Sequence, residues 1–353
     1  MKLLLLPLLL LASCVVSRTW MRPGEVRLVV VAESERLWTG IAVSTQGRTF
    51  VNYPLWSESQ PFAVGELMED GTVEPFPNEE LNSWSPGKPA ADHFVCVQAL
   101  WIDSRDRLWI LDPGNPRFEG VVPDAPKLFV VDLKRDTVEK VYRFGSDVIK
   151  PNSYLNDVRV DLSSGTAYIT DSGNGALLVL DLTSGESRRV LDDHPSAQSE
   201  DIVLTIGGKP WMLGDTKPQV HADGIALSGD GRWLYYQALT GRTLYRVATA
   251  DLRDRRWSEE ELGNRVQRVA SSGASDGLLF GPDGYVYISA LEHDEIRRVS
   301  PEGKIETLIS DPRIAWPDSF ALGAGRVLYF TVARIHEGGE PKAPFAIYKV
   351  LPE

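Results

Sequence analysis

The sequence predicts an all-β fold, a six-bladed β-propeller closed by an N-terminal strand. Three observations predict it. A polar-opened repeat can be read six times, each copy carries two strand-like runs joined by a tight turn, and convincing long amphipathic helical patterns are missing. The 353 residues, 43% hydrophobic and 24% charged, have an ordinary globular balance.

Taken in chain order, the first element is a leader. Met1-Lys2 and the leucine-rich run 3–11 have the charged start and short apolar core of an export signal, and that core is too short to span a bilayer. It ends in Leu11-Ala12-Ser13-Cys14, the pattern of a lipobox in which Cys14 is lipidated and becomes the first mature residue; the alternative is an ordinary signal peptide cut near Ser17. The expected layout is residues 1–14 as leader and 25–353 as one propeller domain. Residues 26–32 supply the outer strand that closes the ring.

The clearest repeats start at Asp223-Gly-Ile-Ala-Leu-Ser and Asp276-Gly-Leu-Leu-Phe-Gly; weaker copies start at Thr39, Gln98, Asn156 and Asp318. The clear copies give a polar residue, a short apolar strand, an Asp-Gly turn and a strand rich in aromatic and β-branched residues, and the others follow the same pattern more weakly. Two further strand-like runs follow most copies, which makes the four strands of a propeller blade. The sixth unit is one strand short, because its last run, 347–350, reaches almost to the C-terminus. An all-β sandwich is the structural alternative, and six matched opening residues count against it.

Long connections fall on one face, at 77–97, 145–155 and 192–222; the last holds a Gly207-Gly208 hairpin signal and reads as an ordered lid. Residues 258–265 fit a turn or two of helix. Cys96, between Val95 and Val97, reads as a buried thiol in a strand and not as a catalytic one.

Lysine plus arginine total 37 against 49 acidic residues, a formal charge of -12, which argues against nucleic acid as a partner. Membrane contact is expected only through a lipid on Cys14.

The innermost strand of a propeller blade runs along the central channel. The six opening residues, Thr39, Gln98, Asn156, Asp223, Asp276 and Asp318, should therefore form a ring at the channel mouth. Three carboxylates facing one another repel unless protons or a cation intervene, and an oxygen-only donor set suits one divalent cation, calcium before zinc. The alternative is that these Asp-Gly pairs are turn formers. Beside the ring the sequence places His221 as a proton acceptor and Asp112 and Asp171 at the ends of second strands. Tyr154, Trp211 and Trp316 are candidates for an aromatic wall.

Leu155-Asn-Asp-Val-Arg-Val-Asp161, Ala167-Tyr-Ile-Thr-Asp-Ser172, Gly231-Arg-Trp-Leu-Tyr-Tyr236 and Leu239-Thr-Gly-Arg-Thr-Leu-Tyr-Arg-Val247 resemble the major royal jelly protein and yellow family, in a bacterial member. The resemblance implies a six-bladed propeller. Family members include nutritive secreted proteins, pigment-pathway proteins with a claimed dopachrome-converting activity, and binders of biogenic amines. More distantly the chain is similar to gluconolactonase and regucalcin-like propellers. That likeness implies a divalent ion at Asp223 and Asp276 with Asn156 nearby, while Thr39 stands where a first-blade glutamate is expected.

The first functional expectation is a small ligand, cationic or aromatic, held by Gln98, Asp318, Tyr154, Trp211, Asp112 and Asp171. The second is a metal-dependent lactonase-like hydrolase or isomerase, with the metal at Asn156, Asp223 and Asp276 and with Asp276 or His221 as base. The third is a protein-interaction platform.

Overall fold

The computed structural model describes residues 20–57, 60–338 and 341–353. The leader, the lipobox and Cys14 lie outside the described residues. Six antiparallel sheets of four strands each form the blades, and their inner strands are Ile41–Val43, Ala99–Ile102, Leu155–Asp161, Ala222–Leu227, Ser275–Phe280 and Pro317–Leu322. The predicted six-bladed propeller is the observed fold.

Closure follows the expected route. Val26–Ser34 pairs antiparallel with Phe345–Pro352 as the outer strand of blade 6, with Leu28 opposite Val350 and Ser34 opposite Phe345. Just before it, Met21 is buried and its carbonyl accepts from Arg298 Nη1 at 2.9 Å, while Trp20 meets Tyr287 edge-on at 5.3 Å.

The middle strands read as apolar runs because both of their faces pack on neighbouring blades, which leaves no polar side to alternate with. In blade 3, Thr166–Asp171 is buried throughout and Ala176–Asp181 is buried except at its last residue. The core is accordingly a set of inter-blade clusters; Trp109, Leu128, Leu155, Ile169 and Leu178 join blades 2 and 3.

The inner strands of blades 3 to 6 share a feature that a plain repeat does not announce. Their register breaks at the second residue, between Leu155 and Val158, Ala222 and Ile225, Ser275 and Leu278, and Pro317 and Phe320. These are β-bulges, which twist the strand and re-aim its side chains. Blades 1 and 2 pair without such a break.

Opposite the four bulges stand Thr170, Gln237, Ser289 and Thr331, all fully buried. Thr170 Oγ1 accepts from Asp157 N at 3.1 Å and donates to Asp223 O of the next blade at 2.6 Å. Thr331 Oγ1 accepts from Ser319 N at 3.1 Å and donates to Thr39 O at 2.5 Å, which ties blade 6 to blade 1. One hydroxyl thus satisfies the backbone group freed by the bulge and fastens the neighbouring blade.

Asp223-Gly224 and Asp276-Gly277 lie within these bulges, so the alternative reading of them as turn formers is corrected. The glycines are needed for a different reason. A Cβ on Gly224 would stand 2.2 Å from Asp276 O, and one on Gly277 would stand 1.9 Å from Asp318 O.

The lid is ordered as expected. Thr205–Ile206 and Lys209–Pro210 form a hairpin over Gly207 and Gly208, whose φ values of 58 and 76 suit a type I′ turn. Leu204 and Ile206 of the lid pack with Leu239, Leu291, Trp316 and Ala333. The short helix Glu259–Gly263 starts from a Ser258 capping box. Cys96 is buried but lies in a bend instead of a strand, because its N–H goes to Asp112 and not to a ladder; burial pushes its thiol up to about 12.

Gly277→Ala is expected to destabilise the fold by about 1–3 kcal/mol, since backbone must move to admit the methyl group. Gly229→Ala, where the added carbon meets Phe280 at an ordinary 3.9 Å, should change little. Urea unfolding of the two variants checks this, and equal stability would count against the close approach.

Candidate functional site

A cavity of about 330 Å³ opens at the channel mouth, on the face that carries the long connections. Gln98, Asn156, Asp223, Asp276 and Asp318 line it. The sixth opening residue, Thr39, does not; it is fully buried, with its hydroxyl accepting from Asn52 Nδ2 at 2.9 Å and directed to Gln98 O at 3.4 Å.

The bulges bring the acidic members into contact. Asp223 Oδ2 accepts from Asn156 Nδ2 at 2.6 Å, the Asp223 and Asp276 carboxyl groups hydrogen-bond each other, and Asp276 Oδ2 accepts from Trp316 Nε1 at 2.7 Å. Asp318 Oδ1 accepts from Ser319 Oγ at 2.9 Å. Burial raises Asp223 and Asp318 well above the ordinary carboxylate range, and the charges of neighbouring aspartates add to it. Burial also lifts Asp276, but the Trp316 and Asp223 hydrogen bonds oppose it, which leaves this group at about 6.

The walls are aromatic. Tyr154 donates to Gln98 Oε1 at 2.9 Å and accepts from Trp56 Nε1 at 2.6 Å, so one hydroxyl fixes both a wall and part of the floor. Across the cavity, Trp316 lies edge-on to Trp211 at 4.8 Å and parallel to His336 at 5.9 Å. Trp316 also has φ 59, a left-handed conformation that costs a bulky residue about 1–3 kcal/mol and persists only where surroundings over-determine it. Phe118 and Leu213 line the same cavity, yet are 60% and 65% exposed.

Beneath the ring Arg159 links three blades. Arg159 Nη1 donates to Asp157 Oδ1 at 2.6 Å and Nη2 to Leu278 O of blade 5 at 2.7 Å, and the guanidinium lies 4.3 Å from the Trp101 ring of blade 2. Asp157 is close enough that its charge raises Asp223, Asp276 and Asp318.

Eight predicted residues therefore meet at the cavity: Gln98, Tyr154, Asn156, Trp211, Asp223, Asp276, Trp316 and Asp318. Besides Thr39, three do not. Asp112 is fully buried and accepts from Val95 N, Cys96 N and Gly114 N at 2.7, 3.0 and 2.9 Å, and its Lys127 partner lies at 3.2 Å. Asp171, also fully buried, accepts from Ser153 Oγ at 2.6 Å, Tyr154 N at 2.9 Å and Arg189 Nη1 at 2.7 Å. Both aspartates hold the loop that enters the inner strand of their own blade, so they position Gln98 and Tyr154 instead of touching a ligand. His221 is likewise corrected as a candidate base at the ring: its Nδ1 accepts from Ser199 N at 3.0 Å, and it does not line the cavity.

Sequence reasoning missed Trp56 and Phe118, which arrive on loops of blades 1 and 2, and it missed Asp157 and Arg159. A signal for the last two existed. Arg159 is a charge in the middle of the apolar run Val158-Arg159-Val160 of an innermost strand.

The ring as arranged does not fit calcium, which takes six to eight oxygens at about 2.3–2.6 Å. Asn156 turns its amide nitrogen, not its oxygen, to Asp223; the Asp223 and Asp276 carboxyls bond each other; Thr39 is engaged elsewhere. Among the described residues no group of three or more His, Cys, Asp or Glu is placed to hold a metal ion.

The family model described as major royal jelly protein matches residues 95–312. A dopaminechrome tautomerase of Drosophila melanogaster is 28% identical over 156 residues, 40% of this chain and 33% of that protein. Major royal jelly protein 2 of Apis mellifera is 28% identical over 227 residues, 59% of this chain and 48% of that protein. The chain thus spans between a third and about half the length of these relatives. Among solved structures, a gluconolactonase from Xanthomonas campestris aligns with TM-score 0.58 at 15% identity, over 94% of this chain and 92% of its own, a likeness of fold alone.

The raised carboxyls carry a pH signature. A carboxyl raised on folding leaves stability fully present below about pH 4 and removes it as the pH climbs through the folded value, about 6 for Asp276. Asp276→Asn should therefore gain stability relative to the parent protein as the pH rises from about 4 to about 7 and hold that gain above it. Urea midpoints across that range check it; a difference that does not vary with pH would count against the buried cluster.

Proposed function

The chain belongs to the major royal jelly protein family, and from that premise and the chemistry of the cavity we propose that it binds a small organic cation with an aromatic or aliphatic body at the channel mouth. The observation that carries this is a floor of crowded, buried carboxyl groups under aromatic walls. An ammonium group on that floor would relieve the repulsion among Asp223, Asp276 and Asp318 and take their free oxygens as acceptors. Its apolar body would lie against Trp56, Tyr154, Trp211 and Trp316, where ring faces attract a cation as well. Phe118 and Leu213, held in water at the mouth, supply apolar surface for a bound ligand to cover. We place this binder outside the cytoplasm, exported by its leader and tethered through Cys14.

A second reading is favoured by Asp276. A buried carboxyl at about 6, bonded to Asp223, can take and return a proton near neutrality, which is what an isomerase of a cyclic aromatic compound requires. The Drosophila relative named as a dopaminechrome tautomerase supports this direction. A metal-dependent lactonase draws support only from likeness of fold, which does not carry function.

Isothermal titration with phenethylamine and tyramine should give saturable binding, while phenylacetate, with a similar body and opposite charge, should not bind. Asp223→Asn should weaken the amines at least about tenfold, roughly 1.4 kcal/mol. Absence of heat with every amine at millimolar concentration would overturn the binding reading. For the isomerase reading, turnover of a tautomerisable aromatic panel should rise with pH around 6 and vanish in Asp276→Asn.

A further inference from the structure

We infer that Arg159 is a built-in counter-cation beneath the carboxyl ring, occupying the electrostatic role of a metal ion, so that this site is metal-independent. The inference rests on the geometry under the cavity and deepens the binding reading, because the charge left over after Arg159 is counted is what an organic cation would meet.

Four carboxyl groups, those of Asp157, Asp223, Asp276 and Asp318, act on one another at the upper end of the channel. Buried charge of one sign demands a partner, and removing a sole partner is far costlier than never having had one. Arg159 is a built partner, paired directly with Asp157, whose charge bears on the other three. It is 3% exposed and is fastened from three blades: to Asp157 and Val158 O on its own strand, to Leu278 O on blade 5, and over the Trp101 ring on blade 2. A planar, permanently charged fork can meet all three at once, which a lysine ammonium would do less well. Its Nε is buried without a hydrogen-bond partner among the described residues.

The groups that would otherwise hold a cation are turned away from that task. Thr39 stands in place of the expected glutamate, and its hydroxyl accepts from Asn52 Nδ2; Asn156 presents its nitrogen; Asp223 and Asp276 bond each other. The neutral donors are engaged elsewhere, but the carboxylates remain at the cavity, and a guanidinium is wedged below them. A simple plug would need only bulk, which Trp101 already supplies. The charge of Arg159 is the part that bulk leaves unexplained.

The test uses the full chain and metal salts alone. The wild-type protein, after dialysis, should carry no stoichiometric calcium, manganese or zinc by elemental analysis, and its Tm should not respond to added calcium or manganese. Arg159→Met, which keeps bulk and removes charge, should bind one divalent ion per chain and gain roughly 5 °C or more in Tm at saturating ion. Arg159→Lys should stay unresponsive, as the wild type does. One chelatable divalent ion per wild-type chain would overturn the inference, as would an Arg159→Met protein indifferent to every ion. If Arg159→Met refolds poorly, its yield with and without calcium is the readout: rescue supports the inference and no rescue overturns it. Because no organic ligand is used, failure of amine binding and failure of this inference are separate results.

Discussion

At the upper end of the channel the inner strands of neighbouring blades come so close that no side chain fits between them. The gap is kept by Gly224 and Gly277, where a methyl group would fall 2.2 and 1.9 Å from the carbonyl oxygens of the next blade. That approach puts Asp223, Asp276 and Asp318 beside one another, and the bulges turn their side chains inward where a regular strand would alternate them. The hydroxyls of Thr170 and Thr331 lock the same geometry from behind. Charge crowding in the cavity is therefore a product of backbone packing, and relaxing the packing would dissolve the site before it unfolded the blades.

The cost of the site is concentrated in a small region. Trp316 is left-handed, Phe118 and Leu213 stand in water, and several carboxyls are buried, while the inter-blade clusters nearby are apolar and complete. Strain and exposure persist only where surroundings hold them, and here the lid packing around Trp316 and the Asp276 bond do so. This clustering of cost, more than any single residue, marks the channel mouth as the working end.

Much of the fold was legible because it is periodic. Opening residues, Gly-containing turns and the closing strand all follow from pattern and from the need to bury edges. Tyr154 and Trp211 were legible as well, as aromatics in long loops on the predicted face. Asp112, Asp171 and His221 were misread because nearness in sequence to a strand end says nothing about which way a side chain turns, and in a loop the first claim on a carboxylate is made by unpaired backbone N–H groups. Asp157 was missed for a sharper reason. Strict alternation gives the channel one residue of the Asn156-Asp157 pair, and only a bulge gives it both.

The strand that closes the ring has a consequence for how the molecule is made. Val26 pairs with Pro352, so the earliest strand waits for the last one while every other blade can form from contiguous chain. During synthesis the first blades emerge long before the seam exists, and among the described residues the edge of Phe345–Pro352 has no other strand to take. Assembly is thus slow by topology, with a joint that spans nearly the whole chain and a late interval in which an unpaired edge is open to other molecules. Truncation at either end would strike the same seam.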